Sequence, residues 1–210
     1  MKIAKEGLIF IIPFLVLSIV FLWFGLWILS ALCLIIASKF TFFFRDPVRK
    51  IPEDENSILS PADGKIVKIQ TCDNHPFFSS PVTIVSVFLS IFNVHITRAP
   101  ISGEVTEIEY HPGKFFPAYK DEAGLKNESN SIYINGNDTN IIVKQIVGIA
   151  ARRIKCFVIK RQKIIRGQKM GLMYFGSRVD IFLPKEIRLN VQLNQKVKAG
   201  ETEIAYIEKG

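Results

Sequence analysis

Between Glu6 and Lys39 the chain carries no charged residue, and this limits what it can fold into more than any other feature. The stretch reads GLIFIIPFLVLSIVFLWFGLWILSALCLIIAS, residues 7–38. A bilayer-spanning helix needs about 20 consecutive apolar residues. The stretch is therefore long for one span and short for two. Phe24-Gly25 lies near its middle, and Pro13 interrupts its first part. Lys2 and Lys5 precede it; Lys39, Arg45, Arg49 and Lys50 follow. Basic residues on both flanks favour leaving both ends in the cytoplasm. The expectation is a membrane hairpin of two short helices within residues 1–40, with a single tilted span as the alternative. A cleaved signal peptide fits poorly, because the run is too long and no small-x-small site follows it. The SALC ending at Cys33 resembles a lipoprotein site only loosely, since Leu32 is too large for the position beside the cysteine.

Residues 41–210 are enough to bury a core of their own. Cys33, Cys72 and Cys156 form an odd set with no metal-ligand spacing and no disulfide framework, which fits a reducing compartment. The formal charge is +8, and its location matters. No acidic residue occurs between Asp138 and Asp180, an interval that includes Lys144, Arg152, Arg153, Arg166 and Arg178. A basic surface meets nucleic acid or anionic lipid. Next to a membrane segment an anionic membrane surface is the simpler partner, each basic residue adding about 1 kcal/mol, and nucleic acid is not expected. The plainer reading is a solvated face on ordinary strands.

Beyond Lys50 short runs rich in Ile and Val alternate with turns: GKIVKI, VTIVSVFLS, GEVTEIEY, SIYI, NIIVKQIVG, IKCFVIK, RVDIFLP, RLNVQL and TEIAYIE. Several alternate with period two, and Gly, Pro, Asn and Asp punctuate them. The pattern predicts a mostly β domain, a compact barrel or sandwich. Residues 111–130 are polar, broken by Pro and Gly, and read as one long loop. PADGKIVKI from Pro61 aligns with PISGEVTEI from Pro100, and NQKVKAGETEIAYI adds a further glycine-punctuated hairpin. By analogy, such repeats suggest the barrel-sandwich hybrid of lipoyl and biotinyl domains. Where the first copy has Asp63 the second has Ser102, so the turn itself does not demand an aspartate.

YFGSRVD, residues 174–180, places Gly176-Ser177 inside what reads as an apolar strand. Glycine weakens a strand and marks a bend or a close backbone approach. Of the three histidines, His75 and His111 have loop contexts, and His95 follows an apolar strand in IFNVHITRAP. Taken singly, each is more often structural than catalytic. Together Asp63, His95 and Ser177 supply the residue types of a relay that activates a nucleophile, in which geometry and not chain order matters.

FFRDPVRKIP, SPADGKIV, NVHITRAPISGEV, NESN, GIAARRI and MGLMYFGSRVDIFLP follow one another in this chain. In that order they resemble the phosphatidylserine decarboxylases, in particular the short, membrane-associated bacterial and archaeal branch, over roughly residues 41–207. Larger members carry a second histidine near the position of Arg98, and Leu-Gly-Ser-Thr where Phe175-Gly-Ser-Arg178 stands here, so roles of that second histidine do not transfer. The resemblance implies a proenzyme that cuts itself between Gly176 and Ser177. Ser177 Oγ would attack the Gly176 carbonyl while His95, oriented by Asp63, removes the proton. The products would be a β chain, residues 1–176, and an α chain, residues 177–210, associated as a heterodimer, with the decarboxylase domain spanning residues 41–210. Ser177 would become a covalent pyruvoyl group that forms a Schiff base with the amine of phosphatidylserine and takes up the electrons left by carbon dioxide. No metal and no pyridoxal phosphate is expected. His95 would donate a proton to the product, phosphatidylethanolamine, and Arg98, Arg152 or Arg153 would hold the lipid phosphate. The expected location is the cytoplasmic face of the cell membrane; a higher oligomer is left open. Two rivals remain, the first a membrane-tethered carrier or binding module on the same hybrid fold. A lipoyl-like carrier needs a lysine at a hairpin tip, for which Lys169-Met170 is the nearest match, and a phosphocarrier would use His95. Neither accounts for the Gly-Ser pair.

Overall fold

The computed structural model of the chain describes residues 2–73, 75–149 and 153–207. They divide into two compact units, residues 1–48 and 49–210.

In the first unit a short ladder pairs β1 (Lys2–Ile3) with β2 (Arg45–Asp46), and between them run α1 (Leu8–Trp23) and α2 (Trp27–Phe43). Gly25 turns the chain at φ +72°, a region closed to most side chains. The helices pack antiparallel: Phe10 stacks on Phe40 and Phe44, and the Ser18 and Ser30 hydroxyls meet at 2.9 Å. Pro13 lies inside α1 without ending it. The stretch Lys5–Trp23 is long and apolar enough to cross a membrane; α2 is apolar but shorter, at 17 residues. The outer faces are as apolar as the seam, with Trp23 and Ile28 almost fully exposed. That suits a helix surrounded by hydrocarbon.

Among its described residues the second unit has fourteen short strands and one short helix. In chain order they are β3 (Ser57–Leu59), β4 (Gly64–Cys72), β5 (Val82–Leu89), β6 (Ile96–Arg98), β7 (Gly103–His111), α3 (Asp121–Lys126), β8 (Ser129–Asn135) and β9 (Asn140–Val147). Then come β10 (Ile154–Cys156), β11 (Lys163–Ile164), β12 (Lys169–Met173), β13 (Ser177–Pro184), β14 (Arg188–Leu189), β15 (Lys196–Val197) and β16 (Glu203–Tyr206). A curled eight-stranded sheet has the order β11-β7-β8-β9-β13-β5-β4-β15. Two three-stranded sheets, β10-β12-β6 and β14-β16-β3, complete the unit. Alternate residues of the large sheet, among them Ile66, Val87, Val105, Ile132, Val179 and Ile181, point into one core. The mostly β expectation holds.

The strand order shows that the internal repeat is structural. It reads the same from either end when β11 is matched with β15, β7 with β4, β8 with β5 and β9 with β13. The glycines that align in sequence, Gly64 and Gly103, each open a nine-residue strand. At each, a Cβ would strike a carbonyl of the neighbouring strand, that of Phe88 or that of Asn135. Each strand then has a register shift at the same offset, Ile66/Lys68 and Val105/Glu107.

Two sequence expectations need correction. Residues 111–130 are not one loop: β7 runs through His111, α3 occupies Asp121–Lys126, and β8 starts at Ser129. MGLMYFGSRVDIFLP is not one strand either. β12 ends at Met173, β13 begins at Ser177, and the two belong to different sheets.

Candidate active site

The break between β12 and β13 makes the site. Phe175 (φ +45°) and Gly176 (φ +69°) are both left-handed. For a bulky residue such as Phe175 this costs about 1–3 kcal/mol. At Gly176 an added Cβ would meet nothing within 4 Å. The glycine is therefore required by backbone conformation, and the close approach expected at this position is not its reason.

Ser177 opens β13 between β5 and β9, paired with Leu89 on one side and Val147 on the other. It is fully buried, and its Oγ has no hydrogen-bond partner among the described residues. Such a hydroxyl costs about 1–3 kcal/mol.

His95, buried just before β6, accepts a hydrogen bond at Nε2 from the Gly176 N–H (3.2 Å). An N–H can only donate, so Nε2 carries a lone pair and the ring proton is on Nδ1, which donates to the Asn93 carbonyl at 3.0 Å. Asn93 is itself fixed: its Oδ1 accepts from the Ser90 N–H (2.9 Å) and the Ser90 hydroxyl (2.7 Å). The His95 carbonyl takes the Met173 N–H at 3.1 Å, tying β6 to the last residue before the break. His95 and the Gly176–Ser177 bond, far apart in sequence, are thus brought together.

Asp63 is placed differently from expectation. Its carboxylate accepts from Arg49 Nη2 at 2.8 and 2.9 Å and from the Ala199 N–H at 2.8 Å. The acceptor behind His95 is the Asn93 carbonyl. Ser102, the repeat equivalent of Asp63, likewise accepts a backbone N–H, from Arg166 at 3.0 Å. Arg49 was read from sequence as a membrane-flanking charge; its side chain is 5% exposed and belongs to the Asp63 turn. Its place in FFRDPVRKIP was the available signal.

The arginines separate. Arg98 is buried and donates from Nη1 to the Gly167 carbonyl at 3.0 Å. Arg152 lies outside the described residues. Arg153 is exposed, and its carbonyl takes the Tyr174 N–H at 3.3 Å, two residues before Gly176. Arg178 is no surface charge: it pairs with Asp180 (Nε to Oδ1, 2.9 Å) and donates to the carbonyls of Ala118 and Lys120. Lys144 donates to the Gly124 carbonyl, and burial pulls its pKa down. Arg166 donates to the carbonyls of Pro52, Asp54 and Ser57. The acid-free interval is therefore partly a set of internal ties.

Sequence reasoning also missed a buried amide chain across three strands. Asn130 Nδ2 donates to Gln145 Oε1 (3.0 Å), and Gln145 Nε2 donates to Thr97 Oγ1 (2.7 Å). The other histidines stand apart. His75 packs on Phe78 and Phe182, with its pKa lowered first by burial and then by Lys144. His111 is exposed beside Glu109. Lys169 begins β12 and pairs with Arg98, so it is not at a hairpin tip as a carrier lysine would be. Among the described residues no cluster of His, Cys, Asp and Glu could hold a metal.

A buried serine hydroxyl, a left-handed Phe-Gly before it and a lone-pair nitrogen one peptide away are suited to acyl transfer from the glycine carbonyl to the serine oxygen. Comparison with known proteins gives the family. The family model described as phosphatidylserine decarboxylase matches residues 36–205. The chain belongs to the phosphatidylserine decarboxylase family. A phosphatidylserine decarboxylase proenzyme of Syntrophus aciditrophicus is 43% identical over 204 residues, covering 95% of each chain. Another, from Magnetococcus marinus, is 37% identical over 98% of this chain and 95% of its own. A third, from Ehrlichia canis, is 42% identical over 99% of this chain and 92% of its own.

Proposed function

We propose that the chain is a proenzyme that cuts itself between Gly176 and Ser177, and that the processed protein decarboxylates phosphatidylserine to phosphatidylethanolamine. The observation that carries this reading is the buried, unpartnered Ser177 hydroxyl following left-handed Gly176, with His95 Nε2 at the Gly176 amide. Ser177 Oγ first bonds to the Gly176 carbonyl carbon as the carbon–nitrogen bond breaks and the freed Ser177 nitrogen gains a proton, which leaves the two parts joined by an ester. The cut follows by β-elimination: Ser177 Cα loses a proton, the Cβ–Oγ bond breaks, residues 1–176 leave as a carboxylate, and water then displaces the nitrogen of the dehydroalanine at 177 as ammonia. His95 Nε2 takes the hydroxyl proton once it exchanges the Gly176 N–H for Ser177 Oγ. Strain at Phe175 and the hydroxyl's lack of a partner both raise the starting state. Asp63, held by Arg49 and the Ala199 N–H, lines the same cavity as Asn93, the residue that holds His95.

The residues present fit a pyruvoyl group at position 177, since its precursor hydroxyl is dry, unshared and next to a proton acceptor. Such a group supplies a carbonyl that captures the substrate amine and draws off the electron pair left by carbon dioxide. His95 remains beside it to return a proton. β13 is paired along its length with β5 and over six residues with β9, so residues 177–210 stay with residues 1–176 after the cut. For the lipid phosphate, Arg153 is better placed than Arg98, being exposed beside the break. A cavity of about 550 Å³ lined by Asp63, Lys65, Phe88, Phe92, Asn93 and Lys196 opens next to the residue that holds His95 and suits an anionic headgroup.

The two apolar helices would cross the membrane as a hairpin with both ends in the cytoplasm, tethering the enzyme to the bilayer that holds its substrate. The two small sheets closing on the curled one, with the internal repeat, support a lipoyl-like barrel-sandwich hybrid. The test is carbon dioxide release from phosphatidylserine vesicles and from free serine. Release from vesicles alone is the expected result; equal turnover of free serine, or none of either by processed protein, would overturn the reading.

A further inference from the structure

The geometry points to Gly148 as the residue that positions the carbonyl to be cut. Ser177↔Val147 is the last pair of the β13–β9 ladder, and one step further Gly148 faces Gly176. A Cβ built on Gly148 would fall on the Gly176 carbonyl oxygen, closer than the 3.0 Å that real side chains respect, 3.4 Å from the Gly176 carbonyl carbon and 3.2 Å from Ala118 Cβ. The volume a side chain would fill is taken by the oxygen of the scissile bond.

The two facing glycines are needed for opposite reasons. Gly176 has open space and a left-handed φ; Gly148 is not left-handed and has no space. Nor can Gly148 withdraw. The Val147 carbonyl before it is held by Asn127 Nδ2 at 2.7 Å, and the Val147 N–H by the Glu128 carbonyl at 3.1 Å. Asn127 is buried, and its other contacts go to both backbone groups of Phe116. Gly148 is thus a fixed wall behind the carbonyl oxygen and sets the face of the carbonyl carbon that Ser177 Oγ meets. A displacement near 1 Å at a reacting atom costs about a hundredfold in rate.

This inference rests on self-cleavage at Gly176–Ser177. The test follows appearance of the fragment 177–210 from full-length Gly148→Ala protein, with and without hydroxylamine. Hydroxylamine cleaves the ester formed by acyl shift, leaving a hydroxamate on Gly176 and a free Ser177 amine. Gly148→Ala is expected to cleave roughly a hundredfold more slowly, with no acceleration by hydroxylamine, because the ester is not reached. Cleavage at the wild-type rate would overturn the assignment. So would hydroxylamine restoring that rate, which would place the block after the shift. Stability is compared between Ser177→Ala and the Ser177→Ala/Gly148→Ala double variant, neither of which can cut itself. The double variant is expected to fold with its melting point lowered by roughly 2–12 °C, as one overpacked methyl group costs; failure of the double variant to fold would make Gly148 a folding requirement and overturn the positioning role. A wild-type chain that never cuts would sink the cleavage reading as well, which separates the two failures.

Discussion

β9 and β13 lie side by side at the centre of the large sheet, and the chain reaches them by different routes. β9 is reached from β8 by a hairpin closed by the Gly136 N–H on the Thr139 carbonyl at 3.0 Å. β13 is reached from another sheet across three residues, two of them left-handed. Both lead-ins bury a hydroxyl with no partner among the described residues, Thr139 Oγ1 and Ser177 Oγ. An orphan hydroxyl is therefore not enough to mark a reactive centre. What sets Ser177 apart is the left-handed pair before it and His95 at the adjoining amide. The internal repeat built two similar strand pairs, and chemistry is proposed only where the chain changes sheets.

The comparison can be broken in four ways. His95→Ala removes the proton acceptor that the described residues place at the break, and cleavage should slow roughly a thousandfold. Fragment appearance by mass spectrometry reads this directly, and a rate within a few-fold of wild type would leave the strained turn as the sole device. Next in size is the contrast between the repeat's two turns. Asp63→Asn removes the nearer of the two carboxylates at the buried Arg49 guanidinium, Glu201 remaining at 3.9 Å, a loss of roughly 3 kcal/mol. Ser102→Ala loses one hydrogen bond, about 1 kcal/mol or less. Thermal unfolding in a Ser177→Ala background should show midpoints lowered by roughly 6–12 °C and by less than about 4 °C respectively. Equal shifts would show that the two turns are held alike.

Smaller effects follow at the lead-ins themselves. Phe175→Gly removes about 1 kcal/mol of left-handed strain at the site, and with it the packing of a half-buried ring. If cleavage draws on that strain, its rate should fall roughly fivefold. A faster cut would mean that Phe175 hinders the reaction. Thr139→Val replaces the other orphan hydroxyl and should leave cleavage unchanged, with stability equal or raised by up to about 1 kcal/mol. Slower cleavage of this variant would tie the β9 lead-in to the chemistry.

Much of this was legible in the sequence. Period-two runs located the strands because one face of each is buried, and the aligned Gly64 and Gly103 foretold two equivalent strand openings. The Gly-Ser pair and His95 were legible through the family fragments. The break at residues 174–176 was not, because the apolar run continues on both sides of it and nothing in a phenylalanine announces a positive φ. Arg49 and Asp63 are 14 residues apart, and a charge count does not say which charges are paired. The Arg178–Asp180 pair was within reach: residues two apart on a strand share a face, so their opposite charges foretold a tie and not a solvent-facing cation.

Mass analysis of the purified full-length protein, beside Ser177→Ala, tests the central claim most directly. The account predicts two pieces from the wild type, residues 1–176 and 177–210, the second lighter by one ammonia than its sequence requires. Ser177→Ala should remain a single uncut chain without decarboxylase activity. An uncut wild type that still releases carbon dioxide from phosphatidylserine, or a fragment 177–210 that keeps its serine amine in an active enzyme, would contradict the account.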